Sequence, residues 1–152
     1  GYWNNPEETK KILKSGWLYT GDIGHFEDGF LRITDRKKDI IITPGGDNIS
    51  PIKIENDLCK INFIEQAIVF GDNKPYLVAL LVLSSEKINT EIEKIKEEIE
   101  KINENLSKNE KIKKFFMIKE QFTIENGMMT PTLKLKRYKI IKKYENEFNK
   151  LY

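Results

Sequence analysis

Hydrophobic positions recur along this chain with two different periods, and the changes of period mark its elements. Pro6-Glu7-Glu8-Thr9 opens a short helix: Asn5 is placed to cap it, proline stands in the first turn, and acids face the positive end of the dipole. Ser15-Gly16 should close it. Trp17 to Ile23 then has the aromatic and β-branched content of a strand, which delivers Thr20-Gly21-Asp22 to its end. Asp28-Gly29 is a hairpin turn signal, and Phe30, Leu31 and Ile33 resume a strand that runs into Asp35-Arg36-Lys37-Lys38-Asp39, an unbroken run of charge. Ile40 to Thr43, bounded by Pro44-Gly45-Gly46, reads as the return strand of a hairpin.

Ser50 and Pro51 then form a cap and a first-turn proline, and Ile52, Ile54, Leu58 and Ile61 keep helical spacing, so a helix is expected over Pro51–Lys60. Cys59 on that helix is read as a small buried residue. Two strands follow, Ile64 to Phe70 and Tyr76 to Leu83; the second is apolar almost throughout, as befits a central strand covered on both faces. From Glu86 to Lys111 the chain turns to Glu, Lys, Asn and Ile. There Ile88, Ile92, Ile95, Ile99, Ile102 and Leu106 form one helical stripe, too short for a sustained coiled-coil seam and better suited to packing on the sheet. Asn105-Leu106-Ser107 should break it and Asn109 to Lys113 add a turn. Lys114 to Ile118 and Phe122 to Ile124 read as extended, Glu125-Asn126-Gly127 as a turn, and Thr130-Pro131-Thr132-Leu133-Lys134 as non-helical. A last helix from Arg137 to about Leu151 should bury Ile140, Ile141, Tyr144 and Phe148. The order after the hairpin is α, β, β, α, β, turn, α, which predicts a small α+β domain: a β-hairpin and a short central mixed sheet flanked by helices.

Composition narrows the partners. With 152 residues the chain can form one ordinary core, burying roughly 70% of its unfolded surface. Its 26 basic and 24 acidic residues nearly cancel, so no global field draws in nucleic acid or anionic lipid. The single cysteine cannot form an internal disulfide, and no apolar run reaches the roughly 18 residues of a membrane span; a soluble, cytoplasmic protein is the expectation. The opening Gly1-Tyr2-Trp3 places large aromatics at the very start, as in a piece cut from a longer chain whose neighbour would cover them.

Three positions invite chemistry. A carboxylate such as Asp22, at a strand end after glycine, has two acceptor oxygens in one plane and can take both hydroxyls of a vicinal diol; a plain turn aspartate is the alternative. Arg36 by itself says little. Lys134 stands in a basic stretch with Lys136, Arg137 and Lys139, which read alone is a solvated face. His25 is a loop residue to which no role is given.

The strings GWLYTGDIG, DRKKDIIITPGGDNISP and TPTLKLKR, in that order, resemble three consecutive motifs of the AMP-forming acyl-CoA synthetases, members of the adenylate-forming ligase superfamily. The wording of TPGGDNISP and TPTLKLKR is similar to the long-chain fatty acid branch, with Leu133 where glycine commonly precedes the motif lysine and Asp47 where glutamate is common. The resemblance implies that residues 1–37 are the end of a large N-terminal AMP-binding domain and residues 38–152 a mobile C-terminal domain. It implies that Asp22 and Arg36 contact the nucleotide ribose and that Lys38 is the hinge. It further implies that Gly45 and Gly46, with Asp47 and Asn48, face the pantetheine path, and that Lys134 serves adenylation. ATP and CoA are the implied cofactors, with Mg2+ held mainly by the N-terminal domain and no metal ligand in this chain. The implied partners are the chain's own adenylation domain, a fatty acid and CoA, with peripheral membrane contact of the full-length protein left open. A carrier-protein thiol as acceptor, and a non-catalytic interaction module built on the charged helix, are the competing readings.

Overall fold

The computed structural model describes residues 1–84 and 92–152. The chain forms two compact units, Gly1–Lys38 and Asp39–Tyr152.

The first unit begins with α1 (Pro6–Ile12), capped as its sequence demands: Asn5 Oδ1 accepts the Glu8 N–H at 3.1 Å. Two hairpins follow. β1 (Leu13–Lys14) pairs with β2 (Trp17–Leu18) across Ser15-Gly16, both of positive φ, and β3 (Asp22–Glu27) pairs with β4 (Phe30–Arg36) across Asp28-Gly29. The single strand expected from Trp17 to Ile23 is therefore two. Tyr19 to Gly21 leave the pairing, and Gly21, at φ +73°, takes a conformation that ends an L-residue strand.

The second unit opens with β5 (Ile41–Ile42), which pairs antiparallel with β6 (Asn48–Ile49) across the Thr43–Asp47 loop. This corrects the reading of Ile40 to Thr43 as a return strand for the preceding hairpin: its partner lies downstream, and β4 pairs with β3 alone. α2 (Pro51–Leu58) follows directly. β7 (Ile64–Phe70), β8 (Leu77–Leu83) and β9 (Ile112–Ile118) form a mixed sheet in that order, β8 running antiparallel to β7 and parallel to β9. α3 (Ile92–Glu104) supplies the crossover before β9; the expected helix from Glu86, with Ile88, lies outside the described residues up to that point.

All seven residues of β8 are buried, and their alternation builds a core on each side. Leu77, Ala79, Leu81 and Leu83 pack with Ile54 and Leu58 of α2 and Ile95 and Ile99 of α3. Val78, Leu80 and Val82 pack with Phe122, Ile140, Tyr144 and Phe148. The last three belong to a C-terminal segment that is two helices rather than the expected one: α4 (Arg137–Lys143) and α5 (Glu145–Asn149). Tyr144, at φ −107° and ψ 21°, leaves helical geometry, yet Tyr144 N–H still bonds Ile140 C=O and Phe148 N–H bonds Tyr144 C=O. The kink therefore keeps the i, i+4, i+8 stripe on one side.

Two smaller expectations also change. Cys59 is exposed at the C-cap of α2, because the helix turns Ile54, Glu55 and Leu58 inward and leaves position 59 outside. Phe122 to Ile124 join no sheet; Phe122 is buried, and its backbone is held by the Gln66 side chain. Among the described residues, no helix is long and apolar enough to cross a membrane.

Candidate active site

Asp22 and Arg36 face each other as the first and last paired residues of the β3–β4 hairpin. Arg36 Nε lies 3.1 Å from Asp22 Oδ1, and both side chains keep solvent access, so the pair orients more than it stabilises. Asp22 N–H donates to Thr20 Oγ1 at 3.1 Å, which fixes the strand end. Oδ2 of Asp22 has no partner among the described residues and remains an acceptor for a ligand hydroxyl.

The charged run beyond β4 is not uniformly free. Asp35 is buried at 3% exposure, Arg36 N–H donates to its Oδ1 at 2.6 Å, and Lys37 N–H is bonded to Gly21 C=O at 2.8 Å. Asp35 thus departs from the solvent exposure that an unbroken run of charge ordinarily has. The first residue with neither restraint is Lys38, which is exposed and is the last of the first unit.

In the second unit, Gly45 and Gly46 sit in a loop closed by its own polar groups. Gly46 N–H donates to Thr43 C=O at 2.9 Å, Asp47 N–H to Thr43 Oγ1 at 3.0 Å, and Thr43 Oγ1 bonds Asp47 Oδ2 at 3.1 Å. Asn109 Nδ2 donates to the same carboxylate oxygen at 2.7 Å and ties the loop to the turn before β9. Gly46 has φ +87° and needs glycine for its backbone, whereas a Cβ on Gly45 would meet only ordinary contacts with Thr43 and Asp47. Beside the loop lies a hollow of about 450 Å³ whose walls include Gly45, Asp47, Tyr76 and the lysines Lys74, Lys108 and Lys113. Three lysines against one aspartate make its lining net positive, with the Lys74 ammonium set over the Tyr152 ring at 5.0 Å. Close by, the Ser107 hydroxyl and N–H hold the Glu110 carboxyl below its usual range.

Lys134 lies elsewhere in this unit and is not part of that hollow. It stands on a tight hairpin. Thr130 N–H donates to Lys134 C=O at 2.8 Å, Lys134 N–H to Thr130 Oγ1 at 3.0 Å, and Leu133 N–H to Thr130 C=O at 2.9 Å; Met129 and Leu135 pair below them. Leu133 has φ +60°, a left-handed geometry that favours the glycine common there, and the chain adopts it with leucine. Residues 131–134 are exposed, and the Lys134 ammonium has no ion pair or hydrogen bond among the described residues.

Sequence reasoning misses what holds these loops. Glu55 of α2 and Arg137, the first residue of α4, form a largely buried ion pair, with Arg137 Nη2 bonded to Glu55 Oε1. Arg137 Nη1 donates to Val69 C=O at 2.9 Å and Glu55 Oε1 accepts Val69 N–H at 2.6 Å. Arg137 is hidden within a basic stretch that looks solvated; Glu55 gives one signal, a carboxylate beside the apolar stripe of Ile54 and Leu58. Cys59 is unsuited to nucleophilic work: although solvent reaches the residue, the protein atoms around its thiol partly desolvate it and, with the Glu55 charge, push its pKa up, which keeps it protonated at neutral pH. Among the described residues no group of three or more His, Cys, Asp or Glu side chains could hold a metal ion.

Comparison with known proteins agrees with this architecture. The family model for the AMP-binding enzyme C-terminal domain matches residues 38–152. A long-chain-fatty-acid–CoA ligase of Mycobacterium tuberculosis is 35% identical across the whole chain, which spans 29% of that protein. A chloroplastic long-chain-fatty-acid–[acyl-carrier-protein] ligase of Arabidopsis thaliana is 32% identical, again across the whole chain and 24% of the relative. In fold, the crystal structure of the adenylation domain of a Mycobacterium chelonae carboxylate reductase superposes with a TM-score of 0.90 at 24% identity, covering all of this chain and 26% of that one. The chain belongs to the AMP-binding enzyme C-terminal domain family, and it spans between a quarter and a third of the M. tuberculosis ligase it matches.

Proposed function

We propose that this chain is the C-terminal part of an ATP-dependent ligase that activates a long-chain fatty acid as its acyl-adenylate and passes the acyl group to CoA. The observation that carries the reading is Lys134, an unpartnered ammonium at an exposed hairpin tip, in a chain that aligns over its whole length with a long-chain-fatty-acid–CoA ligase.

In the first half-reaction a carboxylate oxygen attacks the α-phosphorus of ATP and pyrophosphate leaves. Two anions must approach, and the five-coordinate transition state gathers charge on the phosphoryl oxygens; a positive group aimed at them lowers the barrier. Lys134 supplies that charge, and Asp22 and Arg36 orient the ribose, Asp22 through its open Oδ2. In the second half-reaction the CoA sulfur attacks the acyl carbon and AMP leaves. Lys134 must then withdraw and the Gly45-Gly46 loop present itself, with the positive hollow beside it receiving phosphates of the incoming thiol. Lys38, at the junction of the two compact units, is the residue about which the C-terminal unit turns. No assigned role passes through a metal ion. The phosphate loop and acyl pocket that this chemistry requires belong to a large adenylation domain upstream, and residues 1–152 by themselves give no turnover.

Replacing Lys134 with Ala in the full-length protein tests the reading. ATP–pyrophosphate exchange should fall about 100- to 1,000-fold, on the scale of removing one preorganised charge donor, while thioester formation from supplied acyl-adenylate persists. Undiminished exchange would sink the role of Lys134 and favour a non-catalytic module. A second acceptor, an acyl-carrier-protein thiol, is raised by the Arabidopsis relative. Its pantetheine arm would use the same loop, and offering the adenylate to CoA and to carrier protein in parallel separates the two.

A further inference from the structure

Residues 131–134, the tip that carries Lys134, are all exposed and belong to neither core cluster. Its place is therefore set by whatever grips the two legs of the hairpin. Both legs are gripped from the same strand. On the incoming leg, Gln66 of β7 bonds Phe122 twice, accepting its N–H at 2.8 Å and donating to its C=O at 2.9 Å. On the outgoing leg, three residues after Lys134, Arg137 is bonded to Val69 C=O of β7 and to Glu55, which itself accepts Val69 N–H. β7 is an edge strand of its sheet, and at Val69 this ion pair takes the place a further strand would hold. Lys136 N–H, bonded to Met128 C=O at 2.7 Å, then joins the two legs.

A buried ion pair is a poor choice if the only requirement is stability, because apolar residues of similar volume serve as well or better. What the guanidinium adds is direction. Its planar fork bonds two acceptors in fixed directions and so fixes the backbone of residue 137; an apolar side chain makes neither bond, and an ammonium can make both without fixing their direction. Glu55, for its part, sits on α2, which starts two residues after β6 and hence close behind the Gly45-Gly46 loop.

We propose that Glu55 and Arg137 are positioning residues for Lys134: the pair locks the outgoing leg of its hairpin to β7 and thereby sets where the ammonium stands during adenylation. The inference rests on the role given to Lys134 above. A misplacement of about 1 Å can cost on the order of 100-fold in rate, so partial loosening should be visible in kinetics.

The experiment is a double-mutant cycle in the full-length protein, read as ATP–pyrophosphate exchange. Arg137→Lys keeps the charge and loses the fork; Glu55→Gln keeps the shape and an acceptor for Val69 N–H and loses the charge. Each should lower kcat for exchange by about 10-fold with KM for ATP unchanged. Combined with Lys134→Ala, neither should lower the rate further, since a residue that acts through Lys134 has nothing left to position. Losses that multiply in the Lys134→Ala background, or full exchange in both single variants, would overturn the proposal. If Arg137→Lys does not fold, Glu55→Gln decides by the same criterion. Full exchange in Lys134→Ala alone overturns instead the reading on which the inference rests, so the two failures are distinguishable.

Discussion

The two compact units are written in similar residues and treat them in opposite ways. In Gly1–Lys38 the β3–β4 hairpin carries Phe26, Phe30, Leu31 and Ile33, all exposed, with Phe26 at 77%; α1 buries nothing, and Asp35 is the one buried side chain among residues 1–38. In Asp39–Tyr152 the β8 strand, apolar at all seven positions, is buried from end to end because α2 and α3 cover one side and α4 and α5 the other. A continuous apolar run announces a strand covered on both faces, whereas scattered apolar residues such as Phe26, Phe30, Leu31 and Ile33 are buried only if something packs on them. Ordering a backbone costs roughly 1–2 kcal/mol per residue, and only the second unit has an apolar core of its own to offset that.

The sharpest way to break the comparison is to separate the units. Residues 39–152 alone should unfold in a single cooperative thermal transition, whereas a peptide of residues 1–38 should show neither a transition nor dispersed amide resonances. A folded 1–38 peptide would mean that its exposed aromatics find partners within the unit after all.

A milder contrast uses one substitution in each. Leu80, fully buried in the cluster with Phe122, Ile140 and Phe148, should cost about 2–5 kcal/mol as Leu80→Ala in urea unfolding of the 1–152 chain. Leu31→Ala, on the open hairpin, should stay within about 0.5 kcal/mol. Comparable losses would show that Leu31 is packed in solution.

How far the sequence discloses the fold depends on how local the cause is. Asp28-Gly29 turns its hairpin, Asn5 caps its helix and the Leu77–Leu83 run becomes the central strand, since each is decided by a few neighbours and a period. The partner of Ile41–Ile42 was not legible, because two residues carry no register and the choice between upstream and downstream pairing is made by the Thr43–Asp47 loop. Nor was the kink at Tyr144, which leaves the buried stripe unchanged and so leaves no trace in the pattern. Of the candidate site, the motif strings named the residues, while the restraints on them came from the structure. Asp35 is tied down within an unbroken run of charge, and Arg137 is bound inside a stretch that reads as a solvated basic face. In both cases charge concealed burial, for a sequence pattern treats charged positions as outward by default.

The smallest effects separate two adjacent glycines, and they ask whether the second unit is self-sufficient in its Gly45-Gly46 loop as it is in its core. Gly46, at φ +87°, is demanded by the unit itself, so Gly46→Ala should cost about 1–2 kcal/mol of stability from left-handed strain alone. Gly45 is not demanded: its added Cβ would stand 3.5 Å from Asp47 Oδ2 and 3.6 Å from Thr43 Oγ1, ordinary contacts, so Gly45→Ala should leave unfolding unchanged. If glycine at 45 instead keeps a path clear for a thiol arm, Gly45→Ala in the full-length protein should slow thioester formation from supplied acyl-adenylate while ATP–pyrophosphate exchange keeps its rate. Equal loss in both half-reactions would remove the path argument. A loss of stability from Gly45→Ala would show that the loop, too, answers only to its own unit.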